Sequence, residues 1–241
     1  MGTHRAETKL ALRLAKAARS FQQQDTIAQT MHMIVNTAPE IVDVAEHAGI
    51  TALRRDRTIE SPAYTDELVI LLDQAQSEEG EGPGLEAAQQ DGVVVCIDDT
   101  TTEARWPKFS ARAAELGVRS LIVCGLGRTD GPRVALNLHA QRPGAFRGLT
   151  GEIVSLYAEH AALALGNAAA LDALRAGMDR RQVIGEATGI LMERDRIGSR
   201  EAFSRLVRAS QRLNAKIAAV SQYVILTGQD PDAISPADLS C

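Results

Sequence analysis

Residues 180–194 read RRQVIGEATGILMER. The stretch has the pattern of a charged helix, yet Gly185 and Gly189 stand four residues apart inside it. In a helix interior each costs about 1 kcal/mol relative to alanine. A residue without Cβ lets another backbone come close. The two glycines therefore mean either tight helix packing or the close approach of something outside the chain.

Working outward, a helical pattern runs upstream from about Thr150 through Leu163, Leu171 and Leu174 to Met192, with no proline to interrupt it. Downstream, RIGSREAFSRLVRASQRLN (residues 196–214) opens a second helix after Gly198. Ser199 is the expected N-cap, Glu201 favours the first turn, and Phe203, Leu206, Val207 and Ser210 form the expected apolar stripe. Asn214 is expected to cap a third helix that buries Ile217, Val220, Val224 and Ile225 and closes at Gly228. Beyond Pro231 the tail is polar and expected to fray. Three short helices with narrow apolar faces suit a small bundle, marginal alone.

The first two thirds alternate differently. Residues 5–20 read as an amphipathic helix with Leu10, Leu14 and Ala17 on one side. A second helix follows from Asp25, carrying Ile27, Met31, Ile34 and Val35, and Pro39 ends or redirects it. IVDVAEHAGITAL suggests strand and turn, and ELVILLDQAQ suits a strand or a short helix. SEEGEGPGLEAAQQ is a Gly/Pro loop and short helix, and GVVVCIDD is a strand. FSARAAELG is a helix closed by Gly117. VRSLIVCGL and GPRVALNLHAQRPGAF supply two more strands. The result is an α+β domain over roughly residues 21–168, followed by an all-α segment.

Composition limits the function classes. The chain has 241 residues, 45% hydrophobic and 24% charged, with aromatics at 3%. This suits one or two globular domains with aliphatic cores. Cys96, Cys124 and Cys241 are odd in number and lack CxxC spacing, against a disulfide scaffold or zinc site. His32, His47, His139 and His160 have no metal spacing, and there is no Walker loop or nucleophile elbow. With no long apolar run and no signal-peptide h-region, a cytoplasmic protein off the membrane is expected. The net charge of −5 is uneven: residues 175–216 hold ten Lys/Arg against five Asp/Glu, about +5, leaving about −10 elsewhere. A basic segment on an acidic chain suits a polyanionic partner.

Residues 180–228 resemble the ANTAR domain, a three-helix RNA-binding module of bacterial transcription antiterminators. The resemblance rests on the arginine-flanked ATGILM, then EAF with Leu206, then SQRLN leading into KI and Val220. Thr188 stands where family members often have Lys, and Ser221 where they often have Ala. The resemblance implies binding to paired hairpins in nascent RNA, so that a terminator cannot form. Cations for phosphate and polar groups for loop bases are then expected at Thr188, Gly189, Arg194, Arg205, Arg208, Gln211, Arg212, Asn214 and Lys216. Arg205, Arg208 and Arg212 share one helix face by spacing. Tyr223 is expected mainly to pack.

Residues 21–168 resemble a GAF domain, of the kind joined to ANTAR in actinobacterial proteins. The carrying stretches are GEGPG, VCIDDTTTEARWPKF, ELGVRSLIVCGL and VALNLHAQRPGAF. The resemblance implies an antiparallel sheet with helices on one side and a pocket on the other, where Trp106 and His139 are candidate ligand contacts. Each also suits a core position. In related sequences GEGP is followed by Cys; here Gly84 stands there. Cys96 and Cys124 read as buried, inert thiols. The acidic pair Asp98–Asp99 suggests a phosphate-accepting receiver, but it lies mid-chain with no strand-ending Lys after it.

The expected organisation is an N-terminal helix (1–20), a GAF-like sensory domain (21–168), a helical linker (169–179), an ANTAR RNA-binding domain (180–230) and a tail (231–241). The expected protein is a non-catalytic antitermination regulator. A small-molecule ligand or partner at the GAF domain would control binding to RNA hairpins. A homodimer is expected through Leu163, Asn167, Ala170, Leu174 and Met178, which recur at three-four spacing. No cofactor is specified. The competing reading is a ligand-sensing dimer whose ANTAR segment binds a protein rather than RNA.

Overall fold

Leu10, Leu14 and Ala17 do form one side of a helix, α1 (Gly2–Gln22), in a computed structural model that describes residues 2–128 and 131–239, with side chains from residue 8 onward. Cys241 lies outside the described residues. Helix α2 (Ile27–Ile41) starts at Thr26, whose hydroxyl accepts a hydrogen bond from the Gln29 N–H at 3.2 Å. Pro39 sits within its last turn, and the helix ends two residues later. The chain divides into two compact units, Met1–Asp172 and Ala173–Cys241.

The first unit is built on five antiparallel strands: β1 (His47–Leu53), β2 (Ile59–Tyr64), β3 (Val94–Ile97), β4 (Ser120–Arg128) and β5 (Arg133–Ala140). Their order is β2-β1-β5-β4-β3. Strand β2 went unread in the sequence. Pro62 interrupts it, and only an edge strand tolerates a residue that cannot donate to the ladder.

Both sheet faces are covered, so β1, β4 and β5 are buried almost without alternation. On one face Ile50, Ile122, Leu136 and Leu138 pack with α1, α2 and the start of a 47-residue helix, α6 (Leu149–Asp195). There the fully buried Tyr157 of α6 donates a hydrogen bond to the Ile34 carbonyl at 2.5 Å and meets Phe21 edge to face. The other face carries α3 (Leu68–Glu79), α4 (Pro83–Ala87) and α5 (Pro107–Glu115). Leu72, Trp106, Phe109 and Ala113 pack there against Val95, Ile97, Leu121 and Val123 of the sheet, so this stretch is a core rather than an open pocket. Residues 67–76, compatible with strand or helix, are helix from Leu68 onward. Gly117 closes α5 at φ +85°, as the sequence suggests.

The second unit comprises the end of α6, α7 (Ser199–Leu213), α8 (Ile217–Thr227) and two short 3-10 turns at Pro231–Ala233 and Pro236–Leu239. Among the described residues no helix is long and apolar enough to cross a membrane.

Candidate nucleic-acid interface

The second unit has a small core: Ala187, Leu191, Ala202, Leu206, Ala209, Val220, Val224 and Ile234. Each Leu or Val fully buried here contributes roughly 1.5–3 kcal/mol. Alanines at 187, 202 and 209 bring the three helices together. This core turns α7 relative to the stripe expected from sequence. Phe203 is too large for the close contact and lies outside it, 45% exposed. Gly198, not Ser199, is the N-cap of α7, and Asn214 ends α7 in the left-handed conformation (φ +49°) rather than capping α8. Lys216 precedes α8 without a side-chain cap bond, and Gly228 closes it at φ +68°.

Over residues 231–239 the tail is not frayed. Ile234 is buried, and the guanidinium of Arg212 donates to the carbonyls of Pro231 (2.9 Å) and Ile234 (3.0 Å). Arg194 donates to the Gly228 carbonyl at 2.8 Å and pairs with Asp195 and Asp230. Arg205 pairs with Asp195 at 2.5 Å and with Asp230. The Arg194 bond, then Arg205, holds the Asp195 carboxyl down at about 2. Three of the arginines expected at RNA thus lie in an internal network that ties the tail to α6 and α7.

Four of the other expected contacts have free side chains, while the Thr188 hydroxyl donates to the Ile184 carbonyl at 2.7 Å. Arg208, Gln211, Asn214 and Lys216 are exposed, and their side chains make no hydrogen bond or ion pair among the described residues. Thr188 and Gly189 line an open groove of about 590 Å³ between α6 and α7. Its α6 wall is Arg181, Ile184, Gly185, Thr188, Gly189 and Met192; its α7 wall is Ser199, Arg200 and Phe203. A Cβ at Gly185 or Gly189 would meet nothing within 4 Å. The glycines therefore do not serve packing within this chain. They leave a bare helix backbone along the groove, flanked by the exposed cations Arg181 and Arg200 and the exposed ring of Phe203. Sequence reasoning missed Arg181, Arg200, Met192 and Phe203 as groove residues. For Arg181 and Met192 the available signal was their spacing with Gly185 and Gly189 along one face of α6; Arg200 and Phe203 come from α7.

In the first unit Trp106 is 7% exposed, packed in the core ahead of Pro107 with the Arg105 guanidinium 4.5 Å from its ring centre. His139 is buried on the same sheet face; burial, then neighbouring His47, pushes its pKa down to about 3. Its Nδ1 has no hydrogen-bond partner among the described residues. Cys96 is half-buried rather than buried and Cys124 is buried; burial raises the first thiol to about 11 and the second to about 12, which favours the protonated form of both at neutral pH. Asp99 holds Arg119 at 2.9 Å, and Asp98 pairs with Arg147 at 2.8 Å, which gives the acidic pair a structural use.

The GEGPG stretch is structural too. The Glu81 carboxylate accepts hydrogen bonds from the first N–H groups of α5, Lys108 at 2.8 Å and Phe109 at 3.2 Å. The Gly84 N–H donates to Gln76 Oε1 at 2.7 Å, and a Cβ there would crowd the Gln76 amide. Gln76 Nε2 in turn donates to Asp73, which also accepts from Thr51 at 2.7 Å and Ser61 at 2.6 Å. Burial raises the Asp73 carboxyl to about 6 against the effect of these three donors.

The fold of these units recurs in solved structures. Bacteriophytochrome RpBphP3 from the photosynthetic bacterium R. palustris superposes with a TM-score of 0.60 at 11% identity, over 86% of this chain and 47% of that one. The chromophore-binding domain of the same protein gives 0.51 at 10% identity, over 67% and 63%. The chain thus spans about half the length of the first of these, and the likeness is one of fold. No curated protein matches. The family model of the GAF domain matches residues 24–166 and that of the ANTAR domain residues 172–225. GAF domains are sensory, ANTAR domains bind RNA in antitermination, and both are typically non-catalytic. The chain belongs to the GAF domain family and carries an ANTAR domain after it.

Proposed function

We propose that the ANTAR unit binds paired hairpins in nascent RNA and that the GAF unit, by taking a ligand or partner, controls that binding. A ligand acts this way only if it binds one arrangement of the protein better than another. The observation that carries the reading is the groove with Gly185 and Gly189 on its α6 wall. Its bare backbone, flanking Arg181 and Arg200, and exposed Phe203 combine phosphate contact with a surface on which an unpaired base stacks. Arg208, Gln211, Asn214 and Lys216 extend the polar surface.

One module per hairpin makes a dimer the natural partner of two hairpins. Helix α6 leaves Leu156, Leu163, Leu174 and Met178 exposed, with Asn167 and Ala170 between them at heptad-like spacing. A second copy covering this stripe supplies the homodimer, in a cytoplasmic protein. The apolar Ile184, Met192 and Phe203 of the groove favour a second reading, in which a protein segment docks there instead of RNA.

Binding of the full chain to a labelled two-hairpin RNA and to each single hairpin tests the proposal. Tighter binding to the two-hairpin RNA, with a complex of two chains per RNA, is expected. Equal affinity for one hairpin and two rejects the paired-site mechanism. No hairpin binding leaves the protein-partner reading in the lead.

A further inference from the structure

Five arginines from three chain segments meet at one end of the sheet. Arg54, Arg55 and Arg57 lie in the β1–β2 turn, Arg128 ends β4 and Arg133 begins β5. The antiparallel register brings them together, with Leu53 and Arg128 each opposite Arg133. They surround a recess of about 440 Å³ with an apolar side made by Leu53 and Leu85.

Like charges this close repel one another, and the fold neutralises only part of the cluster. Glu60 takes Arg54 through two hydrogen bonds of 2.6 and 2.8 Å. Arg133 donates to the Gln89 carbonyl and lies 4.0 Å from Asp91. Arg55, Arg57 and Arg128 are exposed, and their side chains have no hydrogen bond or ion pair among the described residues, from which Thr129 and Asp130 are absent. Arg57 holds φ at +68°, so a cation stands where the backbone favours glycine. Asp56, at the same turn, is occupied by the Thr58 N–H and hydroxyl.

We propose that this recess binds a small molecule carrying two or more phosphoryl groups, the phosphates meeting Arg55, Arg57 and Arg128 and the organic part lying against Leu53 and Leu85. Guanidinium forks match phosphate oxygens in pairs, and three forks unpaired among the described residues call for more charge than one phosphate carries. The volume falls in the range of small-molecule sites. The inference names a ligand class for the sensory unit and so rests on the sensory half of the function proposed above.

Calorimetric titration of the full chain with pyrophosphate, and with inorganic phosphate at matched ionic strength, tests it. Saturable binding of one pyrophosphate per chain is expected, tighter than phosphate. R55Q and R128Q, both at exposed positions, each weaken it by about tenfold. K16Q, which removes an exposed cation from α1, leaves it unchanged. Absence of saturable binding overturns the proposal, as does an equal loss in K16Q, which marks general charge attraction. Displacement of pyrophosphate by hairpin RNA also overturns it, because the recess then belongs to the RNA surface. Saturable, arginine-dependent binding that leaves RNA affinity unchanged upholds the anion site and removes the sensory coupling instead.

Discussion

Arg205 of α7 donates a hydrogen bond to Asp195, the last residue of α6, at 2.5 Å. The same guanidinium reaches Asp230 beyond α8, and its side chain is 16% exposed. Arg205 is therefore a clamp, whereas Arg208, one turn on, is exposed and without a partner among the described residues. The two arginines separate stability from binding. Arg205→Ala is expected to cost about 1.5–3 kcal/mol of local stability, the range for hydrogen bonds to charged groups. Hydrogen exchange at the Leu206 and Val224 amides reads this. Arg208→Ala is expected to leave that exchange unchanged and weaken RNA binding. Equal effects of the two on exchange contradict the assignment.

The tail is part of the ANTAR unit's core. Ile234 is 1% exposed, and Ile234→Ala is expected to cost about 2–4 kcal/mol. Ending the chain after Asp230 is expected to cost at least as much, since Arg212 also loses both carbonyl partners. Amide exchange in α7 unchanged by the truncation refutes the packed tail.

Gly189 gives stability and binding opposite signs. A Cβ there meets open space, so Gly189→Ala is expected to stabilise the helix by up to about 1 kcal/mol. The same methyl sits on the groove wall, and RNA affinity is expected to fall. A variant that is more stable and binds RNA as well as before shows that RNA does not approach the backbone at Gly189.

Asp73 predicts a pH dependence in the first unit. Its folded pKa of about 6 lies above the ordinary carboxylate value of 3.8, so the folded state binds the extra proton between them. Stability is therefore highest below about pH 4 as far as this group is concerned, and falls as pH rises through about 4 to 6. A shift of this size corresponds to about 3 kcal/mol. Asp73→Asn is expected to remove that fall. Parallel pH profiles for the two proteins over this window contradict it.

Local signals carried much of the fold. Gly117 and Gly228 mark helix ends because left-handed backbone needs glycine, and the proline-free run from Thr150 to Met192 is indeed one helix. The two domain resemblances rest on motifs whose spacing survives in the sequence. What failed to show depends on distant partners. Arg194, Arg205 and Arg212 look like a free cationic face until Asp230 and the Pro231 and Ile234 carbonyls, 19 to 36 residues onward, are placed beside them. Phe203 looks like core because it is large and apolar, but Ala202 and Ala209 take the helix contact. The arginine recess was invisible because only strand register joins Arg55 to Arg128.

Salt dependence of RNA binding by the full chain tests the central claim most directly. Contact with roughly three to five phosphates predicts that log K falls with log salt at a slope of roughly −2 to −3.5, and that Arg208→Ala makes the slope shallower by about 0.7. A slope near zero, or one that Arg208→Ala leaves unchanged while binding persists, contradicts an RNA interface built on these residues.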